Sequence, residues 1–142
     1  FLPHAASAGI GVKRWVHETV GGFDETMPML EDTDYCWRIQ LMGIPLVFVH
    51  DALIHYRLRS TVRGMLRQAM LWGEYNVYLY QKYRAHGMPA LSRKVGIKRV
   101  LKLFRMMPYC LFDAERRLRW IRDIAWQWGR IQGSVRYRIF AL

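Results

Sequence analysis

The sequence predicts an α/β front part followed by a mainly α-helical, strongly basic tail. Three observations lead there. Up to about residue 60, short apolar runs alternate with Gly and Pro, the rhythm of an α/β domain. After Ser60 the character changes, and long amphipathic helical patterns take over. The charge splits at nearly the same place, with three basic against seven acidic residues up to Tyr56 and nineteen against four from Arg57 onward. The front is thus net −4 and the rest net +15, within a total of +11. The expected division is residues 1–60 and residues 61–142.

The elements follow in order. Residues 5–12 are small and apolar, as in a buried strand, and residues 13–20 suit a short helix stopped by Gly21-Gly22. In residues 31–42, Tyr35, Ile39 and Met42 recur at helical spacing, with Gly43 as the stop and Pro45 beyond. Residues 45–49 and 52–56 are β-rich runs parted by His50-Asp51, which predicts a strand pair. Ser60 or Thr61 caps a long helix to about Ala85, closed by the Gly87 and Pro89 region. A second helix starts near Ser92 and a third covers roughly residues 113–128. Between Ser92 and Met107, Lys94, Lys98, Lys102 and Arg105 share one face. Ile97, Leu101 and Phe104 share another, with Val100 and Met107 beside them. This is a basic amphipathic helix whose apolar side must rest on protein or lipid.

Composition narrows the function classes. With 52% apolar residues in 142, the chain can bury a real core as one domain. Cys36 and Cys110 lie far apart, which gives neither a zinc site nor a disulfide framework and fits a reducing compartment. The longest apolar run, residues 106–112, contains Pro108 and falls well short of the roughly 20 residues a bilayer span needs. The chain begins at Phe1 rather than Met, so a fragment or processed product is expected, and its start does not look like a signal peptide. The expected location is cytoplasmic, with peripheral contact at the cytoplasmic face of a membrane. The basic tail should face an anion: pyrophosphate, phospholipid or nucleic acid. Charge alone does not choose.

The most specific signal is an ordered set of motifs. Gly21-Gly22-Phe23-Asp24-Glu25 is followed by Leu30-Glu31-Asp32-Thr33-Asp34-Tyr35-Cys36-Trp37-Arg38, then Gly43, then His55-Tyr56-Arg57-Leu58-Arg59-Ser60. Across roughly residues 5–73 this order closely resembles family 2 glycosyltransferases of the GT-A fold. The resemblance implies that residues 1–60 are the C-terminal, acceptor and catalytic part of a GT-A domain, with residues 61–142 a basic helical tail. It implies sugar transfer from a nucleotide-diphospho-sugar to an acceptor hydroxyl with inversion, the acceptor being a carbohydrate or lipid-linked. It places the general base on Asp32, the second acid of the pair. Glu31, Asp34, Trp37, Arg38, Arg59 and Ser60 are then expected to bind substrate, and His55 to ligate Mg2+ or Mn2+.

The chemistry asks for such residues. Inverting transfer needs a base to take the acceptor proton, and a carboxylate at a helix start is stabilised by the positive end of the dipole. The plainer account is that Glu31 and Asp32 cap their helix; the surrounding motif favours a base. A lone His at a strand end is commonly structural, but Arg57, Arg59 and Ser60 around His55 suit a phosphate. His50, before a turn, matches less well.

There are departures. Asp-x-Asp does not occur before Gly21, and Asp32-Thr33-Asp34 spells it only formally, because its place after Gly-Gly-Phe-Asp-Glu marks the base-bearing motif. The nucleotide pocket and main metal ligands are therefore expected elsewhere, with the chain inactive alone and prone to self-association. Gln68-Ala69-Met70-Leu71-Trp72 resembles the Gln-x-x-Arg-Trp of processive members, but Leu71 replaces the Arg, and Met70 and Trp72 also suit a helix core. The Arg- and Trp-rich residues 115–137 suit helix packing with contact to an anionic membrane. Nucleic acid is not expected as a partner. The competing function, a basic helical membrane- or nucleic-acid-binding module without catalysis, accounts only for the back half.

Overall fold

The computed structural model describes all residues except Leu58, Leu111 and Leu142, and the Arg93 side chain is likewise outside the description. The chain forms two compact units, Phe1–Leu58 and Arg59–Leu142.

In the first unit, α1 (Arg14–Val20) ends at Gly21, φ 83°, and Gly22 follows at φ 72°. Both glycine N–H groups return to the His17 carbonyl, at 3.1 and 3.0 Å. Two consecutive left-handed positions are nearly free for glycine and strained for other residues, so the pair fixes this stop. Helix α2 (Glu31–Leu41) is released at Gly43, φ 82°, whose N–H reaches Gln40 O at 2.9 Å. Val16 of α1 packs on Tyr35 and Ile39 of α2, with Val20 and Ile44 at the margin. Trp37 is also buried, and its Nε1 donates to Leu2 O at 2.8 Å, tying the first residues to α2.

The α/β expectation, and with it a GT-A sheet in this chain, is overturned: no strand occurs among the described residues. Residues 5–12 form one 3-10 turn, Ser7–Gly9, in otherwise irregular chain. Residues 45–49 and 52–56 run without a ladder, and Val47, Phe48 and Leu53 are 72, 86 and 87% exposed. A strand is fixed by cross-strand pairing and by burial of one face. Here neither exists. The turn at His50-Asp51 does form, closed by local bonds from Ala52 N to Val49 O (3.2 Å) and Leu53 N to Asp51 O (3.1 Å).

The helical tail agrees with expectation. Helix α3 (Val62–Tyr83) is capped by Thr61, whose Oγ1 accepts the Gly64 N–H at 3.2 Å. It passes into a 3-10 turn, Arg84–His86, and stops at Gly87, φ 88°. Helix α4 (Arg93–Met106) and a 3-10 turn, Met107–Cys110, lead to α5 (Ala114–Arg136). Asp113 caps α5 by accepting the N–H groups of Glu115 (2.9 Å) and Arg116 (3.1 Å), and these bonds hold its carboxyl below the usual range. Helix α5 runs past the expected end at residue 128.

Helices α3 and α5 run in the same direction and meet backbone to backbone. A Cβ on Gly129 would lie 1.9 Å from the Met70 carbonyl oxygen, and one on Gly73 2.1 Å from that of Trp126. On Gly133 it would lie 2.8 Å from Glu74 O. Beyond this seam, Val77, Tyr80 and Ala141 form a core flanked by Met88, Leu91, Tyr137 and Ile139. Arg130 is buried there, its Nε donating to Ala141 O at 2.8 Å and its Nη1 to Asn76 Oδ1 at 2.8 Å, with the guanidinium 4.8 Å from the Trp126 ring. Burial, helped by the Arg99 charge, lowers its pKa to about 10, so it stays cationic at neutral pH.

Gly129→Ala is expected to destabilise this unit, because a backbone carbonyl cannot swing aside as a side chain can. Overpacking costs about 1–3 kcal/mol, and this contact belongs at the upper end. Urea unfolding measures it, and a loss below about 0.5 kcal/mol, the scatter of ordinary surface substitutions, contradicts the seam.

Candidate active site

The expected catalytic pair opens α2. Immediately before it, Leu30 holds φ 62°, ψ 17°, a left-handed conformation rare for a residue with a side chain. Such strain costs about 1–3 kcal/mol and persists only where the surroundings impose it, often at functional sites. It turns the chain sharply into Glu31 and Asp32, both half-buried.

Asp32 is held by two backbone donors. Its Oδ1 accepts the Thr33 N–H at 2.7 Å and its Oδ2 the Ser7 N–H at 3.2 Å. The first bond satisfies an orphan donor of the helix start, so capping and chemistry are compatible in one carboxylate. The second links it to the rim of a cleft of about 380 Å3 lined by Ser7, Ile10, Val12, Arg14, His17, Phe23 and Tyr35. Inside this cleft His17 Nδ1 lies 2.9 Å from the Tyr35 hydroxyl, and the Phe23 ring packs 4.3 Å from Tyr35. Burial pushes the Tyr35 phenol up, against the opposing pull of the Arg38 cation. Burial likewise raises the Cys36 thiol, with the Asp32 charge adding to it.

Other expected substrate residues face inward. Asp34 is fully buried and pairs with Arg38, Nε to Oδ2, at 2.8 Å. The two remaining arms of Arg38 donate to Val20 O and Gly22 O, both at 2.6 Å. Arg38 thus clamps the Gly-Gly turn onto α2. Trp37 packs its buried ring edge-on against Phe1.

His55 is exposed in the irregular stretch after the turn. Arg59 and Ser60, also exposed, begin the second unit. Among the described residues, no three His, Cys, Asp or Glu side chains converge as a metal site. A divalent ion needs several oxygen or nitrogen donors, and His55 offers one. The described residues do not fit a metal by themselves.

Sequence reasoning missed Ser7, His17 and Tyr35. Phe23, within the Gly-Gly-Phe motif, was the signal that could have led to the cleft. No helix among the described residues is long and apolar enough to cross a membrane.

Comparison with known proteins gives one consistent indication. The chain is 35% identical over 77 residues to pre-mycofactocin glycosyltransferases of Mycobacterium tuberculosis, strains CDC 1551 / Oshkosh and ATCC 25618 / H37Rv. The similarity covers 51% of this chain and 16% of each relative. No protein-family profile matches, and no solved structure is similar.

Proposed function

We infer that this chain supplies part of the catalytic apparatus of a family 2-type glycosyltransferase, which moves a sugar from a nucleotide-diphospho-sugar to an acceptor hydroxyl with inversion. The observation that supports glycosyl transfer in this reading is the 35% identity to two proteins named as glycosyltransferases; the family type, donor and inversion follow from the ordered motifs. The placement of Asp32 next to a residue that lines a cleft supports choosing it as the base.

In this mechanism the acceptor hydroxyl lies at the Ser7 rim of the cleft, next to Asp32. As its oxygen attacks the anomeric carbon, the proton passes to the Asp32 carboxylate. The bond from that carbon to the diphosphate oxygen breaks, and the nucleoside diphosphate leaves with the electron pair. Ser7 N–H and Thr33 N–H hold the carboxylate's orientation, which fixes the direction of proton transfer. The donor's diphosphate charge has to be met by groups beyond this cleft, since Arg14 is the only Lys or Arg lining it among the described residues.

The test incubates the intact protein with uridine-, guanosine- and thymidine-diphospho-sugars and soluble glycan acceptors. Nucleotide release that depends on acceptor is expected, with proton NMR showing the opposite anomeric configuration in the product. Retained configuration, or no acceptor-dependent release from any donor, overturns the reading.

A further inference from the structure

The helix that the catalytic reading leaves unused is α4. Its contacts run to α5: Trp120 Nε1 donates to Leu103 O at 2.8 Å, and Arg99 lies 6.0 Å from the Trp126 ring. The opposite side of α4 is bare. Ile97, Val100, Leu101 and Phe104 follow the i, i+3, i+4, i+7 spacing of one helical face, and Ile97, Leu101 and Phe104 are 59, 60 and 69% exposed. Just beyond the helix end, Met107, Tyr109 and Phe112 are exposed as well. Alongside that stripe, Lys94, Lys98, Lys102 and Arg105 form an exposed cationic row, and α4 contains no acidic residue.

We propose that α4 is a membrane-surface element, lying in the interface of an anionic bilayer with its apolar stripe among the acyl chains and its lysine row on lipid phosphates. Its 14 residues reach about 21 Å at 1.5 Å each, too short to span and long enough to lie flat. Charge selects the occupant. A second copy of this face would bring like cations together, whereas an anionic lipid surface neutralises them and covers the stripe at once. Single-stranded RNA would also meet the cations, but it gives the aliphatic Ile97 and Leu101 no apolar phase to enter. The surface is independent of the sugar-transfer reading, and either can fail without the other.

The experiment is vesicle flotation of the full chain. Vesicles of phosphatidylcholine with a minority of phosphatidylglycerol should carry the protein up, and pure phosphatidylcholine should carry far less. Rising salt should weaken the interaction. Changing Lys94, Lys98 and Lys102 together to Gln should weaken binding about a hundredfold, at about fivefold per cation near the surface. Leu101→Ser with Phe104→Ser should abolish the binding that survives at high salt. These side chains are exposed, so circular dichroism should be unchanged, and the comparison of the two lipids requires no variant. Equal binding to both lipids, no binding, or variants that bind as the wild type does overturns the proposal. So does tighter binding to single-stranded RNA than to the anionic vesicles, or loss of self-association rather than vesicle binding in the serine variant.

Discussion

Asp32→Asn in the intact protein is expected to lower kcat for sugar transfer by about a hundredfold to ten-thousandfold, the usual contribution of a general base. The amide keeps the size of the carboxylate, and its oxygen can still accept the Thr33 N–H or the Ser7 N–H. It cannot take a proton at neutral pH. Donor KM should therefore change little, which separates loss of the base from collapse of the cleft. Changing Ser7, by contrast, leaves its N–H in place, so Ser7→Ala should be nearly silent. If Asp32→Asn retains a near-normal rate, the base is another group, and Glu31 is the next to test.

Arg38→Ala should cost about 3 kcal/mol of stability, the lower end of what breaking a buried ion pair removes. The lower end applies because the Arg38 side chain is 24% exposed, although the Asp34 side chain is not exposed at all. The loss has two parts: Asp34 forfeits its guanidinium inside the fold, and the carbonyls of Val20 and Gly22 lose their donors. Arg38→Lys should recover only a fraction, because an ammonium cannot direct three N–H groups along the same fork. Urea unfolding of the three proteins decides this. A loss under about 1 kcal/mol for Arg38→Ala, the range of a surface ion pair, makes the clamp a surface contact.

Much of the helical organisation was legible because its signals are local. Gly21, Gly43 and Gly87 stop helices where the sequence says they should, and Thr61 and Asp113 supply caps through their own side chains. That the expected strands do not form among the described residues was not legible, because pairing is a long-range property. The β-prone composition of residues 45–49 and 52–56 says that these segments would suit a sheet, not that a ladder exists for them. At the site, the motif pointed to Asp32, but not to the partners of Asp34 and Arg38. Val20 and Gly22 lie 18 and 16 residues before Arg38, and only the docking of α1 on α2 brings them within reach. The Ser7 contact to Asp32 spans 25 residues and is equally invisible to periodicity. The seam between α3 and α5 had a faint signal in the spacing of Gly129 and Gly133, four residues apart, as small residues at close helix crossings often are.

That seam also bears on how the second unit assembles and moves. Glycine inside a helix lowers its intrinsic stability by about 0.5–1 kcal/mol relative to alanine, so Gly73 in the middle of α3, and Gly129 with Gly133 in α5, weaken each helix taken alone. The weakness is relieved only when the two backbones touch, and the whole of α4 separates them in the chain. Neither helix should therefore persist by itself. Amide hydrogens around Met70–Val77 and Trp126–Gly133 should exchange together, as one cooperative opening. With no side-chain layer between them to yield, the pair should tilt as a single rigid strut rather than slide.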